Sequence, residues 1–406
     1  MLVVQKYGGS SVANPERIRS VAGRVADAHA AGDRVVVVVS AMGDTTDQLI
    51  DLVHEITDKP PEREMDVLLS TGEQVSIALL AMALKELGKP VVSLTGAQAG
   101  ILTDSSHTKA KILEISSSRV LEELGRGNIV VVAGFQGIDE ADDITTLGRG
   151  GSDTTAVALA AAFKADLCEI YTDVDGVYTT DPRLVPEARK LDVISYNEML
   201  ELASLGAAVL HPRSVELGMK YGIPIHVRSS FNNHPGTIVK EINDTMEKSL
   251  AVTGIAYDLN VAKIGLYDVY DRPGIAYRLF HALSEEKINV DMIIQSATRD
   301  EINDISFTCS QVDLQKALQV IERLLPEIGA NGFAGDDNVA KVSIVGAGMV
   351  SNPGVASMMF SALSEEGINL EMISTSELKV SCIIKASEAE RAVTALHRKF
   401  NLAKGA

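Results

Sequence analysis

Two separated blocks of this chain recur at one fixed distance. Ala282-Leu283-Ser284-Glu285-Glu286-Lys287-Ile288-Asn289 returns as Ala362-Leu363-Ser364-Glu365-Glu366-Gly367-Ile368-Asn369, and Pro273-Gly274 returns as Pro353-Gly354, both at an offset of 80 residues. One offset shared by two blocks marks a tandem duplication of a single supersecondary unit. Each copy reads as strand, Pro-Gly turn, helix, Ile-Asn turn, strand. That pattern fits a ferredoxin-like α+β module, with helices on one face of an antiparallel sheet. The chain has 406 residues, and at roughly 150 residues per domain the remainder leaves room for one larger domain.

That remainder alternates between two patterns. Val35–Val39, Pro90–Leu94 and Asn128–Val132 are short continuous apolar runs rich in valine, as expected of strands buried on both faces of a parallel sheet. Between them lie helical patterns. Asn14 can cap a helix that starts at Pro15, Ile18, Val21, Ala22 and Val25 share one face, and Gly32 follows its end. Met65–Leu87 and Ser152–Phe163 also read as helices. Strands alternating with helices imply a three-layer α/β sandwich with a mostly parallel central sheet. The polar stretch 240–248 breaks the alternation. We therefore expect three domains, 1–245, 246–335 and 336–406, with terminal strands that the last two could exchange.

Composition excludes several classes. Hydrophobic residues make up 46% and charged residues 23%, which rules out disorder as the main theme. The formal net charge of −18 excludes broad binding to nucleic acid or anionic membranes. Cys168, Cys309 and Cys382 are too few and too scattered for a disulfide framework or a CxxC metal site, so each is expected to be buried. The chain enters a strand at Leu2-Val3-Val4 with no basic leader, and its apolar runs are short of the ~20 residues a span needs. A reduced cytoplasmic compartment is the expectation.

Three glycine-containing loops carry candidate chemistry. Lys6-Tyr7-Gly8-Gly9-Ser10-Ser11 follows the first strand; its glycines let the backbone approach a phosphate and its lysine adds a charge, without the spacing of a P-loop. Gly148-Arg149-Gly150-Gly151-Ser152-Asp153 opens an Ala-rich helix, an anion site by geometry and dipole, with an arginine able to grip a carboxylate. Tyr171–Arg183 contains Asp-x-Asp-Gly but has Leu184 where a calcium loop needs Glu, leaving a surface loop or a nucleotide loop. Val345–Ser351 starts like a dinucleotide fingerprint and fails at Ser351. His54, His107, His211 and His226 lie in no metal-ligand spacing, and structural roles are expected of them. Ser40 ends a buried strand at an edge where ligands bind in α/β folds. Glu73 is either a solvated helix charge or a partner for a ligand amine.

Taken together, KYGGSS, SAMGDTT (Ser40–Thr46), STGE (Ser70–Glu73), GFQG (Gly134–Gly137), LGRGGSDTTA (Leu147–Ala156) and YTDVDGVYTTDPR (Tyr171–Arg183) resemble, in order and over essentially the whole chain, the aspartate kinases of the amino acid kinase family. The tandem repeat resembles the paired ACT domains of those enzymes. The resemblance implies phosphorylation of the L-aspartate β-carboxylate by ATP with Mg²⁺, giving 4-phospho-L-aspartate, the entry to lysine, threonine, methionine and diaminopimelate synthesis. It implies catalytic roles for Lys6, Arg149 and Asp153. ATP would be held by Lys6, Tyr7, Gly8, Gly9, Ser40, Thr172, Asp173, Asp175, Gly176, Val177, Tyr178, Asp181 and Arg183. Aspartate would be held by Ser40, Thr46, Glu73, Arg149, Gly150, Gly151, Ser152 and Asp153. No resident metal site is implied.

The same resemblance implies feedback control by threonine or lysine, where the Pro-Gly turn of one module meets the Ile-Asn turn of another. The candidates are Asp271, Pro273, Gly274, Ile275, Ala276, Asn289, Asp291 and Gln295, with Val355, Asn369, Leu370 and Glu377 in the second copy. Assembly of like chains, or of catalytic and regulatory subunits, through these modules is also implied, and Met246 could begin a separate regulatory subunit. Two alternatives are a glutamate 5-kinase-like enzyme and a non-catalytic amino-acid sensor.

Overall fold

The structure is a computed structural model, and it describes residues 1–206, 209–242, 251–297, 301–349 and 352–403. Met246 and most of the 240–248 stretch lie outside the described residues, as does Ser351. The chain forms two compact units. Met1–Val177, Lys190–Ser204 and Ala208–Thr245 make the first, and Tyr178–Arg189, Leu205–Ala207 and Met246–Ala406 the second.

In the first unit the chain runs β1 (Leu2–Tyr7), α1 (Pro15–Ala30), β2 (Arg34–Val39), α2 (Thr45–His54), α3 (Glu62–Leu69), α4 (Thr71–Glu86) and β3 (Val91–Leu94). A flap follows, with β4 (Ile101–Thr103) and β5 (Ile112–Ile115), then α5 (Ser118–Gly125), β6 (Ile129–Ala133), β7 (Gln136–Ile138) and β8 (Ile144–Thr146). The unit ends with α6 (Gly151–Phe163), β9 (Leu167–Thr172), β10 (Val193–Ser195), α7 (Tyr196–Ser204), α8 (Pro212–Tyr221), β11 (Ile225–Ser229) and β12 (Thr237–Lys240). Eight strands form the central sheet in the order β10-β12-β11-β9-β1-β2-β6-β3. It is parallel from β11 to β3, and β12 runs antiparallel to β11. The strands β5-β4-β7-β8 form a separate small sheet.

Helices cover both faces, as the buried valine runs require. Asn14 Oδ1 accepts the Arg17 N–H at 2.9 Å and Pro15 opens α1, whose Ile18, Val21, Ala22 and Val25 are buried. They share one core with Ile77, Leu80 and Leu84 of α4 and with Val35, Val37, Val39, Ile129 and Val131 of the sheet. On the other face α6 is buried from Gly151 to Ala160, which an all-round apolar, alanine-rich helix can satisfy.

The expected helix Met65–Leu87 is two helices. It breaks at Ser70, where Ser70 Oγ bonds the Val67 carbonyl and Thr71 Oγ1 the Leu68 carbonyl, the back-bonding by which such residues compete with a helix. By length and composition alone Glu62–Glu86 could span a membrane, but half of its apolar window is buried within the protein.

The second unit contains β13 (Gly254–Asp258), β14 (Ala262–Tyr270), α9 (Ile275–Glu285), β15 (Ile293–Gln295), β16 (Ile302–Cys309), α10 (Leu314–Ile328) and β17 (Gly332–Asp336). The second copy supplies β18 (Val339–Val345), α11 (Val355–Glu365), β19 (Met372–Thr375), β20 (Lys379–Lys385) and α12 (Ala389–Lys399). Its two sheets have the orders β15-β16-β14-β17 and β13-β18-β20-β19. These are the same ferredoxin-like arrangement twice. In the second, the outer strand β13 comes from ahead of the first copy.

The two modules meet with near-twofold symmetry. Val261 and Met292 of one pack with Val339 and Met372 of the other. Lys263 pairs with Glu371, and Lys341 pairs with Asp291 at 2.6 Å. Asp291 and Glu371 are repeat equivalents, and each lysine belongs to a Val-Ala-Lys triplet at the start of its strand. Lys341 is 5% exposed. Asp291→Ala would strand that ammonium and is expected to cost about 1–3 kcal/mol, whereas Lys341→Met is expected to be near neutral. Urea unfolding of both variants checks this, and no loss from Asp291→Ala would show that Lys341 does not depend on Asp291.

Candidate active site

The parallel strands all end on one edge, and the glycine loops gather there, at the position where α/β folds bind ligands. Side chains alternate along β1. Gln5 and Tyr7 turn to one face, where Gln5 Nε2 and the Tyr171 hydroxyl donate to Glu169 Oε2 at 2.8 and 3.1 Å, and Tyr7 stacks on Tyr171 at 4.7 Å. Arg228 Nη1 donates to Glu169 Oε1 at 3.1 Å and completes this buried group. Lys6 takes the other face, where its ammonium lies 2.6 Å from Asp153 Oδ1, both side chains nearly out of solvent.

The loop after β1 is pressed against the loop after β2. The Gly43 N–H donates to the Gly9 carbonyl at 3.1 Å, and a Cβ at Gly9 would stand 3.0 Å from the Ala41 carbonyl, so this position has little room for a side chain. The Ser40 N–H donates to the Tyr7 carbonyl at 3.1 Å. Thr46 lies in the first turn of α2. Glu73, in the first turn of α4, is buried. Its Oε1 accepts the Ala41 N–H at 3.0 Å, while Oε2 is buried with no hydrogen-bond partner among the described residues. Burial pushes this carboxyl up to about 7, against the lowering effect of backbone N–H groups. A desolvated carboxylate with one bare oxygen is suited to a cationic ligand group.

The Gly148–Ser152 loop opens α6. Gly148 and Gly150 have φ of +75° and +67°, in the left-handed region that glycine adopts at low cost. Phe135, after β6, donates its N–H to Thr155 Oγ1 at 3.1 Å and ties α6 to the sheet edge. Gly151, Ser152 and Asp153 are buried in its first turn, whereas Arg149 is exposed and makes no ion pair among the described residues.

The Tyr171–Arg183 segment is shared between the two units. Thr172 to Val177 belong to the first, held by a connection that sequence reasoning missed. Ser230 donates its N–H to the Thr172 carbonyl at 2.9 Å, and Ser11 Oγ donates to Ser230 Oγ at 2.8 Å. Asn232 Nδ2 donates to Asp175 Oδ1 at 2.7 Å and His234 Nδ1 lies 3.0 Å from Oδ2. These contacts lower the Asp175 pKa, Asn232 most. Val177 donates its N–H to Thr237 Oγ1 at 2.9 Å. The turn cluster Asn232-Asn233-His234-Pro235-Gly236 after a strand was the available signal. Tyr178, Asp181 and Arg183 fall in the second unit, where Arg183 and Asp181 pair at 2.7 Å. There Thr179 Oγ1 meets His397 Nε2 at 3.0 Å, and Val185 joins the core of the second ACT-like module.

The regulatory candidates fall at matching places in the two modules. Gly274 and Gly354 cap α9 and α11 with φ of +95° and +103°, and Ile275 and Val355 open those helices. Ala276 follows in α9, after Asp271 and Pro273. Asn289 and Asn369, with Leu370, follow the helices, Gln295 ends the edge strand β15, and Glu377 lies in the turn after β19. Asp291 is already engaged by Lys341. His107, Asp139 and Asp143 bring ligand-type atoms within 4.8 Å of one another, but Asp66 pairs with His107 and Arg63 with Asp143. The three cysteines are free and buried, as expected.

The amino acid kinase family model matches residues 1–229, and an ACT domain model matches residues 268–325 and 342–400. The chain is 51% identical over 405 residues to an aspartokinase of Mycolicibacterium smegmatis, covering 99% of this chain and 96% of that protein. It is 54% identical over 402 residues to an aspartate kinase of Pseudomonas putida, covering 99% and 98%. Among solved structures, E. coli aspartokinase III in complex with aspartate and ADP (R-state) is 26% identical with a TM-score of 0.82, covering 98% of this chain and 99% of that one. The same enzyme in complex with lysine and aspartate (T-state) gives a TM-score of 0.76. With identity above one half along its whole length and the same layered domain followed by a duplicated module, the chain belongs to the amino acid kinase family, among the aspartokinases that carry ACT domains.

Proposed function

We propose that this chain is an aspartate kinase that moves the γ-phosphoryl group of ATP to the β-carboxylate of L-aspartate. The observation that carries this reading is the pairing of Lys6 with Asp153 on the same sheet edge as the bare carboxylate oxygen of Glu73. A cation is held where phosphate would lie, and a buried carboxylate oxygen is suited to an ammonium. The relatives support it, and E. coli aspartokinase III holds aspartate and ADP.

In this reading Arg149 grips the α-carboxylate of aspartate, Glu73 and Asp153 face its amino group, and Ser40 and Thr46 complete the pocket. Lys6 and the N–H groups of Gly8 and Gly9 meet the ATP phosphates, with the 172–177 loop on the nucleotide. A β-carboxylate oxygen attacks the γ-phosphorus, and the bond from that phosphorus to the bridging oxygen breaks, releasing ADP. A carboxylate with a pKa of about 4 is already ionised at neutral pH, so no proton moves and no general base is needed. The protein's part is positioning and neutralisation of charge on the transferring group. Mg²⁺ would ride on the phosphates and supply further neutralisation, which asks for no carboxylate cage.

Lysine and threonine are the proposed effectors, acting through the ACT modules; E. coli aspartokinase III in complex with lysine supports the first. An effector regulates only by binding the active and inactive states unequally. The product feeds lysine, threonine, methionine and diaminopimelate synthesis in this reading, in the cytoplasm, with copies or subunits assembling through the ACT modules.

A hydroxamate assay tests the reading directly. ATP with aspartate should give acyl phosphate, glutamate should not, and lysine or threonine should lower the rate; turnover of glutamate alone would overturn it. Lys6→Ala is expected to fold and to lose roughly 10²–10³ in kcat; near-normal turnover would remove Lys6 from the transition state. Glu73 must be ionised to hold an ammonium. Its pKa of about 7 therefore predicts that KM for aspartate rises as pH falls below 7, approaching about tenfold per pH unit. Glu73→Gln should raise KM at pH 8 and flatten this profile, and an unchanged profile would exclude Glu73 from the amine site.

A further inference from the structure

We propose that His211 and Arg213, at the start of α8, are positioning residues for the Gly148–Ser152 loop that carries Arg149. The proposal rests on the reading that Arg149 holds the substrate carboxylate. That arginine sits on a loop with three glycines in four positions, and glycine-rich backbone is the least able to hold a side chain in place by itself. Something outside the loop must fix it, and α8 supplies two holds.

The first is a fork. Arg213 Nη1 donates to the Leu147 carbonyl at 2.6 Å and Nη2 to the Ala110 carbonyl at 3.0 Å. One rigid guanidinium thus fastens the residue before the loop to the flap between β4 and β5. The second hold is a wall. The His211 ring lies against Gly150 so closely that a Cβ on that glycine would overlap it. Gly151, next in the chain, is packed against Phe135 in the same way, so the loop is bounded on both sides.

His211 is itself fixed. It caps α8, its Nδ1 accepting the Arg213 N–H at 3.4 Å, its carbonyl accepting Ser214 Oγ at 2.6 Å, and Pro212 follows at the first helical position. Burial lowers the imidazole pKa, against the pull of Asp153 and Glu216 and with that of Arg213. The ring is therefore neutral at pH 7 and acts by shape. The two holds act on Leu147 and Gly150, on either side of Arg149, whereas Lys6 is fixed on its own strand β1.

Displacement of a binding group by about 1 Å can cost around 10²-fold. His211→Asn keeps a capping side chain and removes the ring, and Arg213→Lys keeps the charge and removes the fork. Both are expected to lower kcat/KM for aspartate by at least about tenfold, mainly through KM. KM for ATP and the melting temperature should stay close to wild type. Values for aspartate within about twofold of wild type overturn the proposal. So does a parallel decline in the aspartate and ATP constants with melting temperature, which marks a merely structural role. If His211→Asn does not fold, Arg213→Lys decides. Arg149→Lys is measured beside them. If it leaves aspartate binding intact, the placement of Arg149 fails and this proposal with it. If it weakens aspartate binding while the α8 variants do not, only the positioning role fails.

Discussion

Lys6 reaches Asp153 from a central strand of the first unit's sheet, and much of that unit is arranged so that it can. The strand is parallel to both neighbours and buried on both faces, so alternate residues must find partners inside the protein. Gln5 and Tyr7 find Glu169 and Tyr171 on one side; Lys6 meets Asp153 in the first turn of α6 on the other. Asp153 is well placed there, because an acidic group in the first turn of a helix is favoured by the helix dipole. A pair this deeply desolvated is weak evidence for stability, since the cost of removing both ions from water offsets their attraction. Its consequence is geometric: the lysine is held at the sheet edge beside the glycines of its own loop.

An acidic chain that handles anionic ligands needs its recognition to be local. The net charge of −18 disfavours long-range attraction of ATP or aspartate. At the edge itself the balance differs, with Lys6, Arg149, backbone N–H groups and a helix N-terminus close to the strand ends. Glu73 and Asp153 oppose them with two buried carboxylates. Opposite charges at separate points of one pocket are what a zwitterionic amino acid requires.

The duplicated modules show how one sequence pattern tolerates a local difference in register. The Pro-Gly turns and Ile-Asn turns repeat at 80 residues, and Gly274 and Gly354 adopt the same left-handed cap. The Val-Ala-Lys triplets do not keep that spacing: Val261–Lys263 and Val339–Lys341 differ by 78 residues. The register shift between Leu266 and Val269, with Asp268 at φ +52°, falls within the first copy's strand and has no counterpart in β18. The triplets nevertheless place Lys263 and Lys341 on the acidic residue of the opposite module. The seam thus preserves near-twofold symmetry although the strands that carry its lysines differ in register beyond it.

Much of the local structure was legible in the residues. Asn14 and Pro15 announced α1, the valine runs announced β2 and β6, and three glycines before an alanine-rich stretch announced the α6 N-terminus, because caps, periodicity and left-handed positions act over a few residues. Ser70 and Thr71 were harder, since a stretch with continuous helical pattern gives no sign of which hydroxyl will bond its own backbone. Sequence by itself determined the layered α/β class, the duplication and the loops bearing Lys6, Arg149 and Asp153. Only the tertiary structure decided that β13 completes the second module's sheet, that Tyr178–Arg189 joins the second unit, that Asp175 is held from the 230–236 turn, and that His211 backs Gly150. Each of these depends on which distant group satisfies a buried polar atom or fills a packed face, and that is settled by the folded chain as a whole.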